Sequence, residues 1–143
     1  MNFVYDDGGR ADAGFKGKAD DCVCRSLAIA TERPYKEIYD LINKYGKAER
    51  ASKCYARSSA RTGVRPGTVK KILADLGWKW VPTMQIGSGC QVHLRDEDLP
   101  YPIPRIIVNV SGHITTVIYG VVHDTYDCSR DGNRCVYGYW YKE

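Results

Sequence analysis

The chain has 143 residues, of which 43% are hydrophobic and 27% charged, with a formal net charge of +4. That length supports one domain with its own core, and the balance excludes a disordered chain. There is no apolar run long enough to span a bilayer, and Met1 to Asp7 lack the basic-then-apolar order of an export signal, so a cytoplasmic protein with reduced thiols is expected.

In chain order, residues 3–5 read as a short strand closed by a turn at Asp6-Asp7-Gly8-Gly9. A helix is predicted from Asp20 or Asp21 to about Thr31, with an aspartate as its N-cap. A second covers 34–45: Pro34 suits the first turn, and Ile38, Leu41, Ile42 and Tyr45 recur at i, i+3, i+4, i+7. A third begins near Pro66, carries Val69, Ile72, Leu73 and Leu76 at the same spacing, and stops at Gly77. From Trp78 onward the texture is β-branched and aromatic, predicting strands at 79–81, 105–110, 113–119, 121–124 and 134–141, with Gly112 separating two and Gly120 in a hairpin turn. Helices first and strands later predict a single α+β domain over 1–143, with N-terminal helices packed on a C-terminal antiparallel sheet.

Charge is concentrated in one place. Residues 44–71 hold nine basic side chains and a single acid, Glu49, for a local charge of +8 against −4 over the rest. Ser58, Ser59, Thr62 and Gly63 mark the middle as loop. The segment reads either as a solvated connection between helices or as an anion-binding patch, with Arg57, Arg61 and Arg65 the candidate contacts to nucleic acid or an acidic protein.

The six cysteines stand at 22, 24, 54, 90, 128 and 135, without paired CxxC motifs. Cys128 and Cys135 are the pair expected to close a loop if the compartment were oxidising. Cys22, Cys24, Cys90 and His93 offer three thiolates and an imidazole, a set zinc accepts, but the single residue between Cys22 and Cys24 is tight for it and no metal is expected.

One constellation carries chemistry. Cys22 opens the first helix, His113 opens a strand and Asp124 closes the next. Taken singly, each has an ordinary role in packing, hydrogen bonding or a turn. Together they supply a thiol nucleophile, a base to take its proton and an acceptor to orient that base. A helix N-terminus adds unpaired N–H groups that favour a thiolate and hold an oxyanion. Cys24 is the rival nucleophile, but two residues along a helix turn it about 200° from Cys22, so both cannot face one site.

The order of Cys22, His113 and Asp124 resembles the papain-like cysteine peptidase superfamily. The stretch from Asp21 to Thr31, with Pro34-Tyr35, the segment from His113 to Asp127, and Cys135-Val-Tyr-Gly-Tyr-Trp140 are also similar to a group of small bacteriophage and prophage proteins. The resemblance implies a papain-like fold and a cysteine peptidase or related amide- or isopeptide-processing enzyme, acting in the cytoplasm of a bacterial host on a peptide or protein substrate, without a cofactor. Where the superfamily places an upstream Gln for the oxyanion, this chain has Lys16, whose ammonium is the candidate replacement. The alternative is a non-catalytic module of the same fold that binds nucleic acid or an acidic partner through 44–71.

Overall fold

A computed structural model describes residues 1–100 and 103–143. Its elements are β1 (Asn2–Tyr5), α1 (Cys22–Thr31), α2 (Tyr35–Ala48), α3 (Pro66–Asp75), β2 (Lys79–Pro82), β3 (Arg105–Val110), β4 (His113–Ile118), β5 (Val121–Asp124) and β6 (Val136–Tyr141). Of the apolar residues at helical spacing, Ile38 and Ile42 of α2 and Ile72 and Leu73 of α3 are wholly buried, and Leu41, Tyr45 and Leu76 are partly buried against the same core. With Leu27 of α1 they pack against Ile107, Ile114 and Trp140 of the sheet. The alternate residues of β3, Ile106, Val108 and Val110, build a second core with Val117, Val122, Leu94 and Cys128. Successive side chains of a strand point to opposite faces, so β3 contributes to both cores, with Ile107 on the helix side.

The fold is therefore α+β, but the sheet is mixed rather than purely antiparallel. Its order is β1-β5-β4-β3-β6-β2. β1 lies at one edge and runs parallel to β5, with Val4 opposite His123, whereas the other neighbours are antiparallel. Nearly the whole chain intervenes between β1 and β5, so no turn signal announces the pairing. Among the described residues no helix is long and apolar enough to cross a membrane.

Two features fix the geometry of the site. The β4–β5 turn is Tyr119-Gly120, both residues left-handed at φ 48° and 75°, which is the two-residue turn whose twist matches its flanking strands. It sets Ile118 opposite Val121 and Thr116 opposite His123, and so brings the start of β4 and the end of β5 to one end of the hairpin. On the neighbouring layer, α1 is pinned to β4 by two buried hydrogen bonds: Ser26 Oγ donates to Ile114 O at 3.0 Å, and Thr116 Oγ1 donates to Ser26 O at 2.8 Å.

Two local expectations are corrected. Asp21 occupies the N-cap position of α1 but its side chain makes no capping bond. The carboxylate turns inward instead, accepting from Tyr35 Oη at 2.6 Å and from Arg25 Nη1, with Arg10 Nε at 3.5 Å. A buried carboxylate is better served by two guanidinium groups than by backbone N–H groups alone. The cysteine bonded to Cys135 is Cys90, 45 residues away, rather than Cys128; Cys22, Cys24, Cys54 and Cys128 are free thiols. The 90–94 segment runs beside the start of β6, with His93 bridged to Cys135, whereas Cys128 is buried in the second core.

Candidate active site

His113 and Asp124 meet at the end of the β4–β5 hairpin. Nε2 of His113 donates to Oδ2 of Asp124 at 2.7 Å, and both side chains are more than nine-tenths buried. Asp124 Oδ1 accepts from the Thr125 N–H at 2.7 Å and faces Arg25 Nη2 at 3.4 Å. The Tyr126 ring covers the imidazole, with centroids 5.3 Å apart. Cys22, half-buried at the first position of α1, lines one cleft of about 480 Å³ together with His113. Val64, Val69 and Trp140 form its apolar wall and Lys70 is its basic residue.

The electrostatics of the pair follow from this enclosure. Burial opposes a charged imidazole, but the hydrogen bond to Asp124, the nearby Cys128 and Cys22 thiols and the carboxylate charge outweigh it, and His113 is held protonated well above the usual imidazole range. Burial likewise opposes a charged Asp124, yet the hydrogen bond and charge of His113 hold its carboxyl below the usual range. The ring's one hydrogen bond of ordinary geometry among the described residues is to Asp124, while both thiols approach closely enough to bias its charge.

Cys24 has a different role. It is wholly buried, and that burial pushes its thiol up to about 12 despite the opposing hydrogen bond with Tyr35. Its Sγ donates to Tyr35 O at 3.8 Å, inside the helix-side core. Cys22 faces the cleft and Cys24 faces away, as their angular separation on a helix requires.

Lys16 is exposed and outside the cleft; its carbonyl accepts from Arg61 Nη2 at 2.8 Å. Cys22 and Val23 line the cleft, and their backbone N–H groups precede the first intrahelical bond of α1, from Arg25 N to Asp21 O, so the helix itself supplies them no acceptor. A larger concavity of about 630 Å³ borders Asp20 on another side, with Arg10, Lys18, Arg25 and Arg61 in its lining and no cysteine or histidine.

Three arginines of the basic segment turn to main-chain carbonyls, while its lysines are exposed. Arg65 donates through Nε to Ala56 O at 2.9 Å, through Nη1 to Arg50 O at 2.8 Å and through Nη2 to Tyr55 O at 3.2 Å. Arg57 donates to Glu49 O, and Arg61 to the Lys16 carbonyl. A loop without ladder partners must satisfy its carbonyls some other way, and these guanidinium groups do so. Glu49, the one acid, accepts from Ser58 N at 2.6 Å, from the hydroxyls of Ser58 and Thr68, and pairs with Arg65 Nε at 3.4 Å.

Metal readings fare unequally. Cys22, Cys24, Cys90 and His93 are not gathered, since Cys24 is in the core and Cys90 is bonded to Cys135. His113, Asp124 and Cys128 place ligand atoms within 4.8 Å of one another. At 2.7 Å, however, His113 Nε2 and Asp124 Oδ2 are hydrogen-bonded, closer than the roughly 3.3 Å between two ligands of one tetrahedral ion.

Arg25, Tyr126 and Cys128 complete the surroundings of His113 and Asp124, a role that the sequence announces for none of them. Only Arg25 left a trace in the sequence, as an i, i+4 partner of Asp21 on the helix that opens with Cys22. Comparison with known proteins finds no family model, curated protein or solved structure that matches this chain.

Proposed function

We propose that the protein is a cysteine hydrolase of papain-like type, with Cys22 as nucleophile, His113 as base and acid, and Asp124 as the group that orients His113. The observation that carries this reading is the buried 2.7 Å hydrogen bond between His113 and Asp124 at the cleft that Cys22 also lines. With Nε2 engaged by Asp124, Nδ1 is the ring nitrogen left to exchange a proton with Cys22.

In this mechanism the sulfur attacks an amide or isopeptide carbonyl, and the first-turn N–H groups of α1 receive the developing oxyanion. His113 passes the thiol proton to the departing amine, leaving a thioester. Water, deprotonated by the same imidazole, then releases the acid and regenerates the thiol. The neighbouring Val64, Val69 and Trp140 suit an apolar side chain beside the scissile bond, on a peptide or protein substrate. The resemblance to small phage proteins supports a phage-encoded enzyme working in its host's cytoplasm.

Peptide aldehydes test the reading, because a catalytic thiol beside oxyanion donors holds them as a reversible hemithioacetal far more tightly than an ordinary thiol does. Titration across a panel bearing different apolar side chains should give saturable binding that Cys22→Ser abolishes and Cys24→Ser retains. Binding to none of the panel, or binding that survives Cys22→Ser, contradicts it.

A further inference from the structure

A second cluster of sulfur, imidazole and carboxylate lies at the start of β6, among residues the proposed hydrolysis does not use. The Cys90–Cys135 bond spans a Cα separation of 5.9 Å, and His93 is bridged to Cys135 through the backbone. His93 Nε2 lies 3.7 Å from Cys90 Sγ, and on its other side Nδ1 faces Asp98 Oδ2 at 3.5 Å. That carboxylate oxygen is itself fixed, accepting from His93 N at 2.9 Å and from Arg95 Nε at 3.0 Å. Nδ1 is enclosed yet makes no hydrogen bond of ordinary geometry. An imidazole with sulfur at one nitrogen and a held carboxylate at the other has the disposition of a metal-bound histidine and its outer-shell partner.

We propose that in the reduced protein Cys90, Cys135 and His93 bind one zinc ion, with Asp98 orienting the imidazole. Tetrahedral zinc, with sulfur at about 2.3 Å and nitrogen at about 2.0 Å, sets those ligands roughly 3.5 Å apart. Cys90 Sγ and His93 Nε2 are already near that spacing at 3.7 Å. The two sulfurs must part to roughly 3.7 Å, which rotation about their side-chain bonds supplies. The main-chain bridge between His93 and Cys135 holds the ligands together whether the sulfurs are joined or not. Zinc on Nε2 leaves the proton on Nδ1 and gives that enclosed atom a reason to close on Asp98. The fourth position is left to water, beside the Met84 thioether, whose Sδ is 4.0 Å from Cys135 Sγ.

The site is redox-gated because the two states use the same sulfurs. A dithiol reductant supplies two electrons and two protons: its thiolate attacks one sulfur, the Cys90–Cys135 bond breaks, and the reductant departs as its own disulfide. Zinc then displaces the two thiol protons. A disulfide oxidant reverses the step: one thiolate attacks it to give a mixed disulfide, the other displaces that sulfur to re-form the Cys90–Cys135 bond, the oxidant leaves as two thiolates, and the ion is released.

The test uses the full chain, reduced with dithiothreitol, freed of reductant without air and loaded with Zn²⁺ or Co²⁺. One zinc per chain should bind, and cobalt should give thiolate charge-transfer absorption with the intense visible bands of a tetrahedral site. The oxidised protein should hold less than about a tenth as much, while His93→Ala and Asp98→Asn should each weaken affinity about tenfold or more. Failure of the reduced protein to bind zinc, or an equivalent retained in Cys90→Ser, overturns the proposal. If Cys90→Ser does not fold, His93→Ala decides it, since that variant keeps both sulfurs: unchanged affinity counts against the site.

Discussion

Arg25 Nη2 lies 3.4 Å from Oδ1 of Asp124, the carboxylate whose other oxygen holds His113. The same guanidinium is bound to Asp21, one residue before Cys22, so a single side chain on α1 ties the mouth of the helix to the end of β5. Asp21 also faces Arg10 and Asp124 also holds His113, but Arg25 is the cation that faces both buried carboxylates, and losing it leaves each short of a partner.

Arg25→Gln should therefore cost stability far beyond a surface ion pair. Its side chain is 12% exposed, and removing one member of a buried ionic cluster costs about 3 kcal/mol. Chemical denaturation measures it, and a loss below about 1 kcal/mol would mean that Asp21 and Asp124 find other partners.

The His113–Asp124 pair predicts a pH profile with two limbs. Asp124 has a lowered carboxyl in the folded state, so its contribution is complete above the ordinary value near ~3.9 and is lost as pH falls through the folded one. His113 is raised, so its contribution is complete below about 6.5 and is lost as pH rises through the folded value. Unfolding midpoints across pH should show both limbs, and Asp124→Asn should flatten them. An unchanged profile in that variant would exclude the pair as their source.

Gly46→Ala sets two effects against each other in α2. In an open helix alanine gains about 1 kcal/mol over glycine. Here the new Cβ would fall 2.0 Å from Ser58 O, where the basic segment's backbone crosses the helix. The clash should win, lowering stability by about 2 kcal/mol and loosening 50–65 in hydrogen exchange. A gain in stability would show that the loop yields freely.

The elements legible in the sequence were those with local causes. The apolar spacing of α2 and α3 marks the side chains that are buried, and Gly120 marks the turn whose register brings His113 and Asp124 to one end. What escaped depends on partners far along the chain. β1 pairs with β5 across more than a hundred residues, and Cys90 reaches Cys135 because two segments happen to run side by side. Composition also hides where the basic segment's donors go: Arg65 spends its donors on the carbonyls of Arg50, Tyr55 and Ala56. Lys16 fell outside the cleft because position in a motif does not fix the path of a loop.

The most direct test of the central claim is the rate at which iodoacetamide alkylates Cys22, followed by peptide mapping at neutral pH in the native protein and in His113→Ala. Coupling to the imidazole predicts that native Cys22 reacts faster than an unstructured cysteine, and that the variant, shown folded by circular dichroism, loses about tenfold or more of that rate. Native reactivity equal to that of a denatured control, unchanged by His113→Ala, would contradict it.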